Sequence, residues 1–153
     1  MGSIQLFLDN MDWWGLLGLG VSAVATLLCF TVHELCHGAV AYRLGDPTAK
    51  LCGRLTLNPI RHIDVAGLVM MLVARVGWAK PVPVDMRNFK NPKRGMALTA
   101  LAGPASNFIM ALVALALASL VGHFAPVHPA WLLVMCFLCN VAVLSVGMGL
   151  FNL

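Results

Sequence analysis

Charged residues are scarce in this sequence, and basic residues are missing from both of its ends. Only 10% of the 153 residues are charged and 60% are hydrophobic, whereas soluble domains carry about 25% charged residues. No Lys or Arg occurs in residues 1–42 or 95–153, so all ten basic residues fall between Arg43 and Arg94. A surface with so few charges is not stable in water. We therefore expect one membrane-embedded domain over residues 1–153.

The position of the basic residues indicates orientation and partners. Positive charge in one region can mark nucleic-acid binding, but between long apolar segments it is typical of a loop held on the cytoplasmic side. We therefore expect the lipid bilayer, and no nucleic acid, as a partner. The N-terminal tail contains Asp9 and Asp12 and no basic region, so we expect no cleaved signal peptide.

The cysteines do not indicate a disulfide framework. There are five of them, an odd number, and most lie in apolar surroundings. Cys136 and Cys139 have the C-x-x-C spacing but lie inside a continuous apolar run. We interpret them as small apolar residues of a membrane helix rather than as a redox or metal-binding pair.

The apolar runs predict a mainly α-helical membrane protein with about three transmembrane helices. About 20 uncharged apolar residues are enough to cross the hydrocarbon core. The three predicted spans are Trp13 to about Leu44, ended by Gly45-Asp46-Pro47, then about Gly95 to Val121, and a last one that starts near Ala130.

Residues 48–91 have a different character. Leu51–Leu57 alternates weakly and Trp78–Val84 is extended by its prolines, so we expect a small membrane-associated β-sheet here. Between them, Val65–Ala74 is apolar but too short to span the bilayer as a helix. We expect it to be a re-entrant or interfacial element between the first and second transmembrane helices.

The first predicted span contains the sequence His33-Glu34-Leu35-Cys36-His37, an H-E-x-x-H pattern known from zinc metalloproteases. Residues four apart share a helix face, so His33 and His37 can bind one Zn²⁺ ion. Glu34 is turned by about 100° from His33 and is the predicted catalytic base. Such polar groups are costly in a membrane unless they serve a function. The alternative is that they only pair with each other or bridge helices.

A catalytic zinc ion usually has three protein ligands, and this motif supplies two. The sequence offers several candidates for a third ligand: Asp46, Cys52, His62, Asp64, His123 and His128. We expect His123 and His128 on the opposite side of the membrane. Asp64 is the best of the others, although Arg61–Asp64 is also typical of a solvated loop.

Together these stretches resemble the site-2 protease family of intramembrane zinc metalloproteases, in its compact prokaryotic form. The matching residues are 33–46, 53–59 with 62–64, 77–84 and 102–107. The resemblance implies a helical membrane core with a small sheet near the active site. It also implies a zinc-dependent endopeptidase that cleaves transmembrane segments of membrane-protein substrates, in a bacterial or archaeal membrane. Since His33 precedes Arg43 by ten residues, roughly 15 Å of helix, we expect the site to be reached from the cytoplasmic side.

In this family an aspartate in a later motif, Asn-x-x-Pro followed by Leu-Asp-Gly, is the third zinc ligand. Gly149–Leu153 looks like the opening of that motif, which implies a substrate-binding role for Asn152, but the sequence stops before the Pro and the Asp. We therefore expect weak zinc binding and little activity from these 153 residues. The alternative function is an inactive membrane protein that binds or scaffolds partners. A metal transporter is a further alternative, but the later spans offer no additional acids or histidines for it.

Overall fold

The computed structural model describes residues 12–74, 80–124 and 128–153, which are mainly helical. These residues form five α-helices: α1 (Trp13–Arg43), α2 (Thr48–Leu51), α3 (Val65–Ala74), α4 (Pro92–Phe124) and α5 (Pro129–Phe151). Two short 3₁₀ helices, Pro59–His62 and Met86–Asn88, lie in the region that joins α1 to α4. The N-terminal tail that contains Asp9 lies outside the described residues.

Helices α1, α4 and α5 are long and apolar enough to cross a membrane. Among the described residues these three helices match the three predicted spans in number, and each begins within three residues of the predicted start. Helix α4 continues through Pro104 without ending there. At about 1.5 Å per residue, its 33 residues are longer than the hydrocarbon core is thick.

Small side chains fill the interior of the three-helix bundle, and large apolar ones lie outside. The buried cluster consists of Ala25, Cys29, Ala114, Val141 and Ala142. In contrast, Leu19 is 69% exposed and Val143 is 72% exposed. A soluble protein would bury these large side chains, whereas membrane helices use small residues to approach each other closely. The packing therefore supports a membrane protein independently of composition.

Two polar contacts fix how α1 lies against α5. The Ser22 hydroxyl donates to Asn140 Oδ1 at 3.3 Å, and Cys29 Sγ lies 3.3 Å from Ser145 Oγ. The second contact lies later in the sequence than the first on both helices, so α1 and α5 run parallel. Successive membrane spans alternate in direction, so α4, which lies between them in sequence, runs in the opposite direction.

Helix α1 ends in a glycine-based cap. The Gly45 N–H donates to the Tyr42 carbonyl and the Asp46 N–H donates to the Ala41 carbonyl, which is the Schellman pattern. Gly45 adopts φ +109°, a left-handed conformation that residues with a Cβ rarely accept. The predicted end of the first helix is therefore confirmed, and the cap directs Asp46 back toward the bundle.

Asp46 joins the end of α1 to the chain that leads into α4. Its side chain is 0% exposed and accepts hydrogen bonds from Thr48, from the Asp85 N–H and from the Asn88 side chain. Burial acts to raise the pKa of Asp46, but the hydrogen bonds from Thr48, Asn88 and Asp85 outweigh it and hold the pKa below its ordinary value. Asp46 is therefore a charged anchor for this connection.

The expectation of a small β-sheet is wrong for the residues that the structure describes, which contain no β-strand. Leu51 ends α2, and the following residues form turns and bends; residues 80–84 are not in a regular element, and residues 78 and 79 lie outside the described part. The Arg54 guanidinium donates to the carbonyls of Arg61, Lys80 and Pro81. Side-chain bonds thus occupy the main-chain acceptors, and Pro81 and Pro83 have no N–H to donate to a ladder.

The apolar run Val65–Ala74 forms a helix of ten residues, α3. Its length is about 15 Å, so it does not span a membrane, as predicted. The Asp64 carboxylate accepts from the Gly67 N–H at 3.0 Å, in the first turn of this helix. Its placement as a re-entrant or interfacial element stays a prediction.

Replacement of Asp46 by Ala should loosen the junction between α1 and residues 85–88. The Thr48 hydroxyl, the Asp85 N–H and the Asn88 side chain would lose their acceptor. Because these groups are partly buried or exposed, we expect a loss near the lower end of the about 1–3 kcal/mol that an unpaired buried group costs. We expect lower thermal stability and faster limited proteolysis at residues 85–91 in detergent micelles. Because the pKa of Asp46 is depressed in the folded protein, its stabilisation is full above about pH 3.9 and is lost as the pH falls through the folded value.

Arg87→Ala is the control for this variant, since it removes only an exposed ion pair with Asp85 in the same connection. Exposed pairs contribute little to stability. Equal destabilisation by the two substitutions would contradict the anchoring role of Asp46.

Candidate metal centre

The two histidines of the H-E-x-x-H motif lie side by side on α1. His33 Nε2 and His37 Nε2 are 3.0 Å apart, and the two rings meet edge to face with centroids 4.6 Å apart. His33 is 3% exposed, so the pair faces the bundle interior and not lipid. The helical spacing thus brings both imidazoles to one point, as predicted.

Helix α4 holds the outer nitrogen of each ring. His37 Nδ1 lies 2.6 Å from the Thr99 carbonyl oxygen, and His33 Nδ1 lies 3.1 Å from the Asn107 side-chain nitrogen. His37, the later histidine, contacts Thr99, the earlier of the two α4 residues, so α1 and α4 are antiparallel. Outer hydrogen bonds of this kind orient the histidine ligands of metal sites.

Gly103, between Thr99 and Asn107 on the same face of α4, makes room for the two rings. A Cβ at this position would lie 2.3 Å from His37 Nε2 and 2.7 Å from His33 Cε1. These distances are shorter than any normal contact, so a larger residue here would occupy the space beside the Nε2 atoms of the two histidines. Thr99, Gly103 and Asn107 are all buried.

These residues fit a zinc ion as far as two ligands are concerned. Zinc binds imidazole nitrogen at about 2.0–2.1 Å, so two nitrogens on one ion can lie no more than roughly 4.2 Å apart. The 3.0 Å between the two Nε2 atoms meets this condition. Both Nδ1 atoms are already engaged, which leaves the Nε2 atoms to face the ion.

Glu34 forms a hydrogen bond with the connection between α3 and α4. Its Oε2 accepts a hydrogen bond of 3.0 Å from the Val82 N–H, and Val82 lies between two prolines whose segment is held by Arg54. Oε1 is the oxygen not used in this bond. The carboxylate is therefore fixed in orientation by backbone, next in sequence to the first histidine.

The candidate third ligands do not assemble around the histidines. Across residues 12–74, 80–124 and 128–153, no group of three or more His, Cys, Asp and Glu side chains is placed to hold a metal ion. Asp64 caps α3, Asp46 is occupied by the connection to α4, and His62 contacts the Thr56 carbonyl. His128 caps the start of α5, and His123 packs against Phe124.

Asn152 lies at the carboxyl end of α5, where its exposed side chain donates to the Met148 carbonyl at 2.8 Å. This bond belongs to the end of the helix and not to the histidine pair. The predicted role of Asn152 in substrate binding stays a prediction.

Sequence reasoning missed two contacts of the site. The resemblance places Gly103 and Asn107 in a stretch that can line the cavity or pack helices, but it does not specify the contact of Asn107 with His33, and nothing in the sequence indicates the Val82 N–H. A signal for Asn107 is present, because Thr99, Gly103 and Asn107 recur every four residues in a largely apolar helix. This is the same spacing as His33 and His37, and it indicates a polar face opposite them.

Curated proteins with sequences similar to this chain are named as zinc metalloproteases. The chain is 45% identical over 106 residues to a candidate zinc metalloprotease, YwhC, of Bacillus subtilis, a match that covers 69% of this chain and 48% of that protein. It is 32% identical to candidate zinc metalloproteases named Rip2 of Mycolicibacterium smegmatis and Mycobacterium tuberculosis, over 60% and 67% of this chain and 37% and 40% of those proteins. The chain belongs to the site-2 protease family.

This site-2 protease chain spans about half the length of the curated relatives that it matches, or less. No protein-family model matches it, and no solved structure gives a significant match. The relatives' names describe zinc metalloproteases.

Gly103→Ala should weaken zinc binding at the histidine pair. The added methyl group would overlap the His37 ring, and such overpacking costs about 1–3 kcal/mol and displaces side chains. We expect less zinc per protein molecule than in the unmodified chain, measured by elemental analysis of both. Gly147→Ala is the matched control, because a Cβ there meets nothing within 4 Å. Normal zinc content in Gly103→Ala would show that the ion does not bind beside this glycine.

Proposed function

We propose that this protein is a zinc-dependent intramembrane endopeptidase that hydrolyses peptide bonds in the transmembrane segments of membrane-protein substrates. The observation that carries the proposal is the pair of imidazoles on α1, with their Nε2 atoms 3.0 Å apart inside a bundle of three potential membrane spans. Polar groups at such a depth are costly, so a function is the expected reason for them.

A zinc ion held there would supply Lewis acidity, which lowers the pKa of a water molecule to about 7 and polarises a carbonyl group. His33 and His37 would hold the ion. Glu34 accepts the proton of the attacking water and delivers it to the leaving amine. The Val82 N–H keeps one carboxylate oxygen occupied, so that the other is directed to proton transfer.

The substrate reaches this site as an unwound peptide. In a transmembrane helix each carbonyl is bonded within the helix, so cleavage requires local unwinding, which small or helix-breaking residues near the cut would favour. The basic residues between Arg43 and Arg94 favour the cytoplasmic side for this connection. We therefore propose that the substrate enters from the cytoplasmic half of the membrane.

The alternative is a membrane protein of the same family that binds partners without hydrolysis. The observation in its favour is that the described residues supply two metal ligands and no third His, Cys, Asp or Glu beside them. A substitution of Glu34 separates the two functions, because binding without hydrolysis does not need a proton acceptor at position 34.

Glu34→Gln should abolish proteolysis and leave zinc in place. Gln has nearly the same shape but does not accept the proton, and loss of general base catalysis costs about 10²- to 10⁴-fold in rate. We expect this loss in reconstituted vesicles with a transmembrane reporter substrate, using the natural gene product that contains residues 1–153. Zinc content is measured on the same samples.

The matched control is Asp12→Asn, the same exchange of acid for amide at the opposite end of α1, where Asp12 caps the helix. Asn caps helices equally well, so activity should be kept. Undiminished cleavage by Glu34→Gln would overturn the proposed role of Glu34.

Val82→Pro should reduce turnover by removing one hydrogen-bond donor. The two flanking residues are already prolines, so a proline at position 82 suits the extended chain but has no N–H for Glu34. We expect a lower kcat with little change in KM or zinc content, because Glu34 loses orientation while the histidines do not. Val82→Ala keeps the N–H and should behave as the unmodified protein. Equal effects of Pro and Ala would argue that only the valine side chain matters.

A further inference from the structure

The hydrogen bonds around the histidine pair form a chain in which every member donates to the next, toward the Thr99 carbonyl. The Thr99 carbonyl only accepts, so the hydrogen of neutral His37 lies on Nδ1, 2.6 Å away. His37 Nε2 then carries a lone pair. Because the two Nε2 atoms are 3.0 Å apart, we assign a hydrogen to His33 Nε2, which donates to His37.

The direction continues to Asn107. With its hydrogen on Nε2, His33 has a lone pair on Nδ1 and accepts from the Asn107 side-chain N–H at 3.1 Å. The other atom of this amide, Oδ1, is buried and has no hydrogen-bond partner among the described residues. Asn107 is 0% exposed, so its amide ends the chain as a donor and holds an unused acceptor.

A metal ion requires the opposite tautomer of His33. Both Nε2 atoms must present lone pairs to the ion. His37 already does so, because the Thr99 carbonyl holds its hydrogen on Nδ1. His33 must instead lose the hydrogen from Nε2 and carry one on Nδ1. One proton leaves to water and one is taken up, so the neutral ring stays neutral.

The hydrogen on Nδ1 of His33 then needs an acceptor, and the amide of Asn107 contains one. Rotation of the amide by 180° exchanges its nitrogen and oxygen, which brings Oδ1 to His33 Nδ1. Because both residues are buried, bulk solvent does not replace this acceptor; the Gly103 carbonyl also bonds the His33 ring and can share the hydrogen. Asparagine serves both tautomers of His33, whereas a residue that only donates or only accepts serves one.

We infer that Asn107 is a positioning residue that acts as a reversible partner of His33, donating to Nδ1 in the hydrogen-bonded pair and accepting from Nδ1 when the pair holds zinc. This inference rests on the proposed function, since it concerns the residues that hold its metal. It assigns Asn107 a role in metal affinity, and not only in packing α1 against α4.

Two substitutions of similar size test the inference in opposite directions. Asn107→Asp offers only acceptors, which suits the zinc-binding tautomer of His33, so we expect zinc affinity equal to or above that of the unmodified protein. Asn107→Leu offers neither donor nor acceptor, and we expect about a 10- to 100-fold loss of affinity. Affinity is measured by Zn²⁺ competition with a chelator in detergent micelles, with folding checked by helical circular dichroism.

A packing role predicts the reverse order, because Leu fits an apolar interior and a buried carboxylate does not. Equal or tighter binding by Asn107→Leu, or a large loss in a folded Asn107→Asp variant, would overturn the inference. Asn140→Leu is the matched control, since it removes an asparagine from α5 that bonds Ser22 and Cys136; its zinc affinity should be unchanged. If the unmodified chain binds no zinc, the proposed function itself fails, which is a different result.

A spectroscopic measurement tests the same inference without any change at Asn107. In protein labelled with ¹⁵N at histidine, the ring shifts and couplings identify which nitrogen carries hydrogen. We expect His33 to be the Nε2–H tautomer with excess chelator and the Nδ1–H tautomer with Zn²⁺, while His37 stays Nδ1–H in both. A His33 ring with its hydrogen on Nδ1 under both conditions would refute the exchange.

Discussion

The contact between the imidazole pair and the polar face of α4 is the constraint on which this structure depends. Two histidines inside an apolar bundle need partners for four ring nitrogens. They obtain them from each other, from the Thr99 carbonyl and from Asn107. The space beside them exists because residue 103 has no side chain. The antiparallel pairing of α1 and α4 follows from this contact, and α5 completes the bundle by packing against both helices, with Ser145 and Asn140 in contact with α1.

The connection between α1 and α4 contacts the same centre from one end of the bundle. Asp46 binds the chain near residue 85, and Arg54 binds the carbonyls near residue 80. Between these two anchors, the Val82 N–H meets Glu34. Burying a charged side chain costs free energy, and the hydrogen bonds that Asp46 and Arg54 make to main-chain groups compensate this cost. Loop residues that are far apart in sequence thereby set the orientation of one carboxylate.

The sequence predicts the spans and the histidine pair well because both depend on local regularities. Apolar length specifies a membrane helix, the spacing of His33 and His37 specifies a shared face, and Gly45 specifies an end. The small sheet was predicted wrongly because alternation in Leu51–Leu57 is a weak signal, and the bonds of Arg54 that replace a ladder join residues up to 27 positions apart. The contact of Asn107 with His33 is likewise non-local, over 74 positions, and the sequence indicates it only through the matching stretch 102–107 and the four-residue spacing on α4.

The distribution of side-chain sizes in the bundle reverses the usual pattern of mutational tolerance. In a soluble domain, deletion of a large interior side chain is the damaging change. Here the interior positions are already close to the minimum size, as at Ala25, Gly103 and Ala142, and the large residues such as Leu19 and Val143 face outward. Enlargement, and not truncation, is therefore the dangerous direction in the interior. On the outward surface one apolar side chain can replace another freely, so sequence divergence among such proteins should accumulate there first.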